Sequence, residues 1–241
     1  MAQEMRLAEV AETTLPAAAL PSPDGMAASE AVFAVDFPER DYALYLRIAK
    51  PLIDTIGGAV LILLMLPLVA AVAVAVRIAL GPGVIYRQER VGRGGRPFTI
   101  YKFRTMLPDR RQAVLPYDGP DRRVCHKTDN DPRHTALGRF LRKYSLDELP
   151  QLWNVLLGDM SLVGPRPELI EVVNHYEPWQ HERHRVKPGL TGLWQVTCRG
   201  EGLAHQNVEV DLQYISGLSV LTDLKILALT VPVALFESSG K

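Results

Sequence analysis

Asp147 and Glu148 are adjacent carboxylates inside the segment Ser145-Leu-Asp-Glu-Leu-Pro-Gln-Leu-Trp-Asn154. Held close, two such groups repel, and one resists ionising unless a metal ion or an arginine compensates. With Mg²⁺ present, one can ligate the metal while the other acts as base or nucleophile. The same residues also carry a purely local reading. Ser145-x-x-Glu148 ahead of Leu149, Leu152 and Trp153 matches a helix capping box, and acids favour a helix N-terminus in any case. Pro150 weakens that reading, because it lacks the bond back to Leu146 and disfavours helical geometry at Leu149. The pair is therefore expected in an irregular turn, where both carboxylates can point outward together.

Cations that could serve an anionic ligand lie on either side of this pair. In Gly158-Asp-Met-Ser-Leu-Val-Gly-Pro-Arg-Pro167, Arg166 is fixed between two prolines. A stiff backbone lowers the entropic cost of presenting a guanidinium fork to phosphate, although a proline-rich turn with a solvated arginine reads the same way. Lys102 and Arg104 alternate along the Tyr101–Met106 run and share one strand face, with Phe103 on the other. Two cations there suit a diphosphate, and a solvated edge strand gives the same pattern. His181-x-x-His184 has helical spacing for a metal pair, but no Cys or carboxylate pattern supports it, so a solvated face is the expectation.

These residues need elements to position them. Gly57 to Val76 is a run of twenty residues without a charge, about the length that crosses a bilayer core as a helix. Pro67 sits in its middle and should break or kink it. Arg40, Arg47 and Lys50 precede the run, and Arg77, Arg87, Arg90, Arg93 and Arg96 follow it. Basic flanks favour the cytoplasm, so both ends read as cytoplasmic. That pattern predicts a helix that enters, bends at Pro67 and returns, with a single-span anchor as the simpler alternative. Residues 1–35 read as a disordered tail, 42–80 as an interfacial segment and the membrane helix, and 81–241 as a cytoplasmic catalytic domain. Tyr42 and Tyr45 are of the type found at headgroup depth.

Val84–Val91 and Phe98–Met106 read as strands joined by Gly92-Arg-Gly-Gly-Arg-Pro, a β-hairpin. Helices are expected over Thr135–Tyr144, Leu149–Leu157, part of Pro167–Trp179, and Val208–Leu218. Asp223–Phe236 is apolar but too short to span and suits an interfacial helix. The fold class is thus α+β and mainly helical, with interfacial helices around a cytoplasmic active site.

Bulk properties narrow the functions further. Of 241 residues, 47% are apolar and the formal net charge is zero, which argues against bulk nucleic-acid binding. From Arg77 to Arg111 there are nine Arg or Lys against two acids, a stretch suited to anionic headgroups or a phosphorylated ligand. Cys125 and Cys198 form no CxxC pair and read as reduced thiols in a cytosolic setting. The start, Met1-Ala-Gln-Glu-Met-Arg, lacks the pattern of a signal peptide.

Taken with Asp54 and the basic residues ahead of the apolar run, four motifs resemble one family. They are Ile100-Tyr-Lys-Phe-Arg-Thr-Met106, Ser145-Leu-Asp-Glu-Leu-Pro-Gln-Leu152, Gly158–Pro167, and Arg185-Val-Lys-Pro-Gly-Leu-Thr-Gly-Leu-Trp-Gln-Val196. The family is the bacterial sugar transferases, the small monotopic phosphoglycosyl transferases that initiate exopolysaccharide assembly. The resemblance covers about residues 47–236 as one phosphoglycosyl transferase unit. It implies transfer of a sugar phosphate from a UDP-sugar to polyprenyl (undecaprenyl) phosphate at the bacterial inner membrane, with release of UMP. Asp147 would be the nucleophile, forming a phosphosugar-aspartyl intermediate, and Glu148 would hold Mg²⁺. Arg166 would bind a phosphate, and Lys102, Arg104 and Arg142 would line the same site. A re-entrant helix and a homodimer are also implied. The chain departs from the family where Leu66-Pro67 replaces a Ser-Pro break and Lys50-Pro51 replaces a Lys-Arg pair. Two other readings stay open: a membrane-surface phosphohydrolase using the same dyad with water, and a non-catalytic scaffold whose basic strip binds anionic lipid.

Overall fold

A computed structural model describes residues 44–107, 133–197 and 207–236. The tail expected over residues 1–35, Tyr42, both cysteines and most of the loop between the hairpin and the next helix lie outside the described residues. A π-helical turn, Tyr45–Ala49, leads without a gap into α1, Lys50–Leu80. This helix is long and apolar enough to cross a membrane. Pro67 lies inside it. The expected break at Pro67 is thus not an interruption: the helical element runs through, because the turns on either side keep their hydrogen bonds where Pro67 forfeits one.

The hairpin forms as expected. β1, Ile85–Val91, pairs antiparallel with β2, Pro97–Phe103, in the register Ile85↔Phe103. Gly94 and Gly95 supply the positive φ of the intervening turn. α2, Ala136–Lys143, starts where Thr135 Oγ1 accepts from Gly138 N. α3, Gln151–Leu157, ends at Gly158, whose φ of 82° no β-carbon favours.

Next come β3, Ser161–Val163, and a four-residue helix α4, Ile170–Val173. A 3₁₀ segment, Pro178–Arg185, and β4, Gly189–Thr191, follow. β3 and β4 form a parallel pair, Ser161↔Gly189 and Val163↔Thr191, which the sequence reading did not anticipate. α5, Leu193–Thr197, α6, Val208–Ser216, and α7, Val220–Phe236, complete the described chain.

Both halves of α1 dock on this body. Toward its N-terminus, Ile53, Leu61 and Ile62 pack on a cluster containing Leu152, Val155, Met160, Leu162 and Val233. Toward its C-terminus, Val72, Val76 and Leu80 share a second cluster with Phe103 and Leu141. Between the two, Leu63, Leu64 and Leu66 are exposed.

A buried polar network fixes the first half. Lys50 Nζ donates to Val163 O at 2.9 Å and to Asp223 Oδ2 at 2.5 Å. The Tyr45 and Tyr214 hydroxyls donate to the same carboxylate. Asp54 Oδ1 accepts from Ser161 Oγ and Leu162 N, each at 2.9 Å. Tyr45 is therefore a core residue and not a headgroup contact, and the flanking Lys50 is buried beside it, because Asp223 offers both a buried acceptor. The expected interfacial helix starting at Asp223 begins with a buried carboxylate for the same reason, while Leu221, Leu224 and Val231 leave its other face apolar and exposed.

Candidate active site

Asp147 and Glu148 stand in a 3₁₀ turn, Leu146–Glu148, between α2 and α3. Ser145 turns the chain into it with φ 55°, the sole positive φ of a non-glycine among the described residues. Its side chain makes no capping bond, so the capping-box reading fails and the irregular turn holds. Residues three apart eclipse in 3₁₀ geometry. Leu146 and Leu149 accordingly face the cluster of Val72, Val76 and Phe103. The dyad between them is left to face the other way. Pro150 then opens α3 at its N-cap, where a missing N–H costs little.

The dyad meets two cations. Lys102 Nζ lies 2.8 Å from Glu148 Oε1, and Arg166 Nη2 lies 2.8 Å from the same oxygen. A longer contact of 3.5 Å joins Arg166 Nη1 to Glu148 Oε2. Asp147 is buried and makes no ion pair among the described residues. The two carboxylates consequently titrate apart. Burial, followed by repulsion from Glu148, pushes Asp147 up to about 6. Burial also opposes ionisation of Glu148, but Arg166 and Lys102 outweigh it and hold that carboxyl well below the usual range. Arg166 is raised in turn, chiefly by Glu148.

Arg166 is set by its backbone on three sides. Gly164 N donates to Thr191 O, and Gly189 N to Pro165 O, each at 2.9 Å. A β-carbon on Gly164 would come within 2.5 Å of Lys187 O, so only glycine allows that approach. Arg183 Nη2 donates to Arg166 O at 2.8 Å and pairs with Asp211 Oδ2 at 2.6 Å. Arg90 Nη1 donates to Pro167 O at 3.2 Å. Arg183 is almost fully buried and escaped the sequence reading. No local signal marks it, because its carboxylate partner is on α6.

Of the residues singled out from sequence, Asp147, Glu148, Lys102 and Arg166 come together. Arg104 does not join them: Nη2 donates to Leu80 O at 2.5 Å and to Gly81 O at 3.0 Å, where the end of α1 presents unpaired carbonyls. Arg142 stands half-buried in the last turn of α2. His184 is buried and stacked on Tyr176 with centroids 6.1 Å apart, contrary to the solvated face expected of it. Burial, then Arg183, pushes it down to about 4.

A small cleft, open to solvent, is lined by Arg90, Ile100, Lys102, Glu148, Gln151, Arg166 and Pro167. Among the described residues no group of three or more His, Cys, Asp or Glu is placed to hold a metal ion. The dyad still fits Mg²⁺, which is held through one or two carboxylates with substrate phosphates and water completing its shell. Glu148 Oε2, whose contact with Arg166 is a long 3.5 Å, could take it.

Residues 45–237 match the family model described as bacterial sugar transferase. The chain is 42% identical to the galactosyl transferase CpsE of Streptococcus agalactiae serotype III (strain NEM316), over 80% of this chain and 44% of that protein. It is 40% identical to the uncharacterized sugar transferase EpsL of Bacillus subtilis (strain 168), over 76% of this chain and 86% of that one. It is 41% identical to the UDP-glucose:undecaprenyl-phosphate glucose-1-phosphate transferase of Escherichia coli (strain K12), over 77% and 40%. The chain thus spans less than half the length of two of these relatives.

Proposed function

Because the chain belongs to the bacterial sugar transferase family, we propose that it moves a sugar 1-phosphate from a UDP-sugar to polyprenyl phosphate. UMP leaves, and polyprenyl-diphosphate-sugar forms as the first membrane intermediate of an exopolysaccharide or related glycan. The observation that carries this reading is the unpaired, buried Asp147 beside a Glu148 gripped by Lys102 and Arg166.

In this reading an Asp147 carboxylate oxygen attacks the sugar-bearing phosphorus. The bond to the bridging oxygen breaks, and its electron pair departs with UMP. A phosphate oxygen of the lipid then attacks the same phosphorus and frees Asp147, leaving the sugar on a lipid diphosphate. An aspartate is a weak nucleophile, so positioning and charge neutralisation must supply the rate. Lys102 and Arg166 are partly solvent-exposed and can exchange the Glu148 oxygens for phosphate oxygens. Mg²⁺, held by Glu148 when bound, would withdraw further charge from the diphosphate. Covalent storage on Asp147 also means that the soluble donor and the lipid acceptor never need to share the cleft.

The membrane helix suits this division. A straight helix of 31 residues is about 46 Å long, more than the ~30 Å bilayer core requires. The docking of both α1 halves on one body, with the exposed apolar stretch around Pro67 between them, supports a helix that dips into the cytoplasmic leaflet and returns. The dyad turn packs on the returning half through Leu146 and Leu149, near where a lipid phosphate would lie. Labelling of cysteines introduced at Ile48 and Tyr86, both exposed, should occur from the cytoplasm alone in a background free of native cysteines.

The decisive experiment is UMP release across a panel of UDP-sugars with Mg²⁺ and polyprenyl phosphate, following donor label. Galactosyl and glucosyl donors head the panel, since relatives with each name are similar to this chain. Label should reach a butanol-extractable lipid. Free sugar phosphate would indicate hydrolysis, and no UMP from any donor would end the transferase reading.

A further inference from the structure

Gln151, the first residue of α3, has 2% of its surface exposed. Its amide Nε2 has no hydrogen-bond partner among the described residues. Leaving a buried amide unpaired opposes folding, so this side chain sits where packing alone would favour an apolar residue. Its surroundings explain the choice. Gln151 lines the cleft with Lys102, Glu148 and Arg166. Both of those cations are already engaged by Glu148, and Arg90 donates to Gln88 Oε1 and Pro167 O. The Gln151 amide is thus a donor in the cleft wall that no described residue uses.

Its place is also rigid. Leu152, the next residue, is in the core. One turn on, Asn154 Nδ2 donates to Thr99 O at 2.7 Å and its Oδ1 accepts from Tyr101 N. α3 is therefore clamped to β2, the strand that carries Lys102.

We propose that Gln151 is a binding residue for the donor diphosphate, its amide N–H donating to a non-bridging phosphate oxygen held between Lys102 and Arg166. This rests on the sugar-nucleotide reading of the cleft. A third cation at this position would be drawn onto Glu148, as Lys102 and Arg166 are. A neutral amide stays available, and it adds a directed bond without changing the charge that sets the dyad. A phosphate is a fitting acceptor, because its several oxygens can meet the two cations and the amide together.

The test uses the full chain in detergent or membranes, with two variants. Gln151→Met keeps length and volume but removes the donor. Its thermal midpoint should hold or rise, while KM for the active UDP-sugar rises on the order of tenfold, as expected for one lost hydrogen bond to a charged group. Gln151→Glu keeps the shape and places an anion there, and should cost roughly a hundredfold in kcat/KM.

Equilibrium binding of inorganic pyrophosphate with Mg²⁺ is the second readout. Weaker binding by Gln151→Met supports the assignment even if no UDP-sugar yields UMP, in which case the transfer reading falls by itself. Unchanged KM and unchanged pyrophosphate binding in Gln151→Met, or no pyrophosphate binding by the unsubstituted protein, overturns the assignment and leaves Gln151 a packing residue. Should the Met variant not fold, the Glu variant decides by the same two readouts.

Discussion

Two buried ion-pair sites in this molecule are built from the same groups and do opposite work. At the root of α1, Lys50 and Asp223 are each 5% exposed in their side chains. Every oxygen of that carboxylate is taken, Oδ1 by Tyr214 and Oδ2 by Lys50 and Tyr45. Both partners are buried, and the pair ties α1, β3 and α7 together. In the cleft, Lys102 is 17% exposed, Arg166 33% and Glu148 16%, and Asp147 next to them makes no ion pair among the described residues. That site keeps cations able to change partners and a carboxylate that its surroundings make reluctant to ionise. A saturated network stabilises, whereas an unsaturated one at a solvent boundary can do chemistry.

The sharpest way to break this contrast is Asp147→Asn. Removing the nucleophile should lower UMP release by roughly a thousandfold or more. The thermal midpoint should hold or rise, because the amide replaces a carboxylate whose charged form burial opposes. If the variant unfolds as readily as it loses activity, the cleft is a structural network after all. Lys50→Met should show the opposite profile. It strands a buried carboxylate and should cost about 3–5 kcal/mol, seen in a denaturation midpoint, while the protein that remains folded turns over normally. Adding Asp223→Asn, which removes the stranded charge and keeps an acceptor oxygen for one tyrosine while offering an amide N–H to the other hydroxyl, should recover part of the loss.

A third test uses pH. Asp147 is raised to about 6 and Glu148 is held low. Asp147 is thus protonated and inactive below about pH 6, whereas Glu148 remains ionised. Turnover should rise about tenfold per unit up to pH 6 and then level off. Saturating Mg²⁺ should move the inflection to lower pH, since a cation beside the dyad favours its charged form. An inflection unmoved by Mg²⁺ would place the metal away from these carboxylates.

What was legible in the sequence shares one property: it is encoded within a few residues. Gly-rich turns and alternating strands announce the hairpin, Thr135 announces the start of α2, and Pro150 shows that the dyad is not in a regular helix. Flanking prolines single out Arg166. The rest depends on partners far apart in the chain. Lys50 and Asp223 are separated by 173 positions, and nothing near either one indicates that the other will neutralise it. Tyr45 accordingly reads from sequence as a headgroup residue and Lys50 as a basic flank of the apolar run. β3 and β4 are three residues each, too short to show a period. Arg183 was overlooked between two histidines, although it holds the Arg166 carbonyl. The side of a strand is local information, but where the tip of a long side chain ends is not, and Arg104 is the case in point.

Arg104 gives the last and smallest test, since it shares a strand face with Lys102 yet belongs with the structural group. Its guanidinium covers Leu80 O and Gly81 O at the end of α1, carbonyls that lack helical partners. Arg104→Ala should cost about 1 kcal/mol of stability, the net worth of such bonds, with KM for the donor changed by no more than about twofold. Lys102→Ala removes a charge from the cleft itself and should raise that KM roughly tenfold, as loss of a charge-assisted bond does. Measured side by side, the two variants separate the cation that anchors the helix from the one that meets the substrate. An equal rise in KM would mean that Arg104 leaves the helix end when the donor binds, and the division between holding and reacting groups would then fail at this residue.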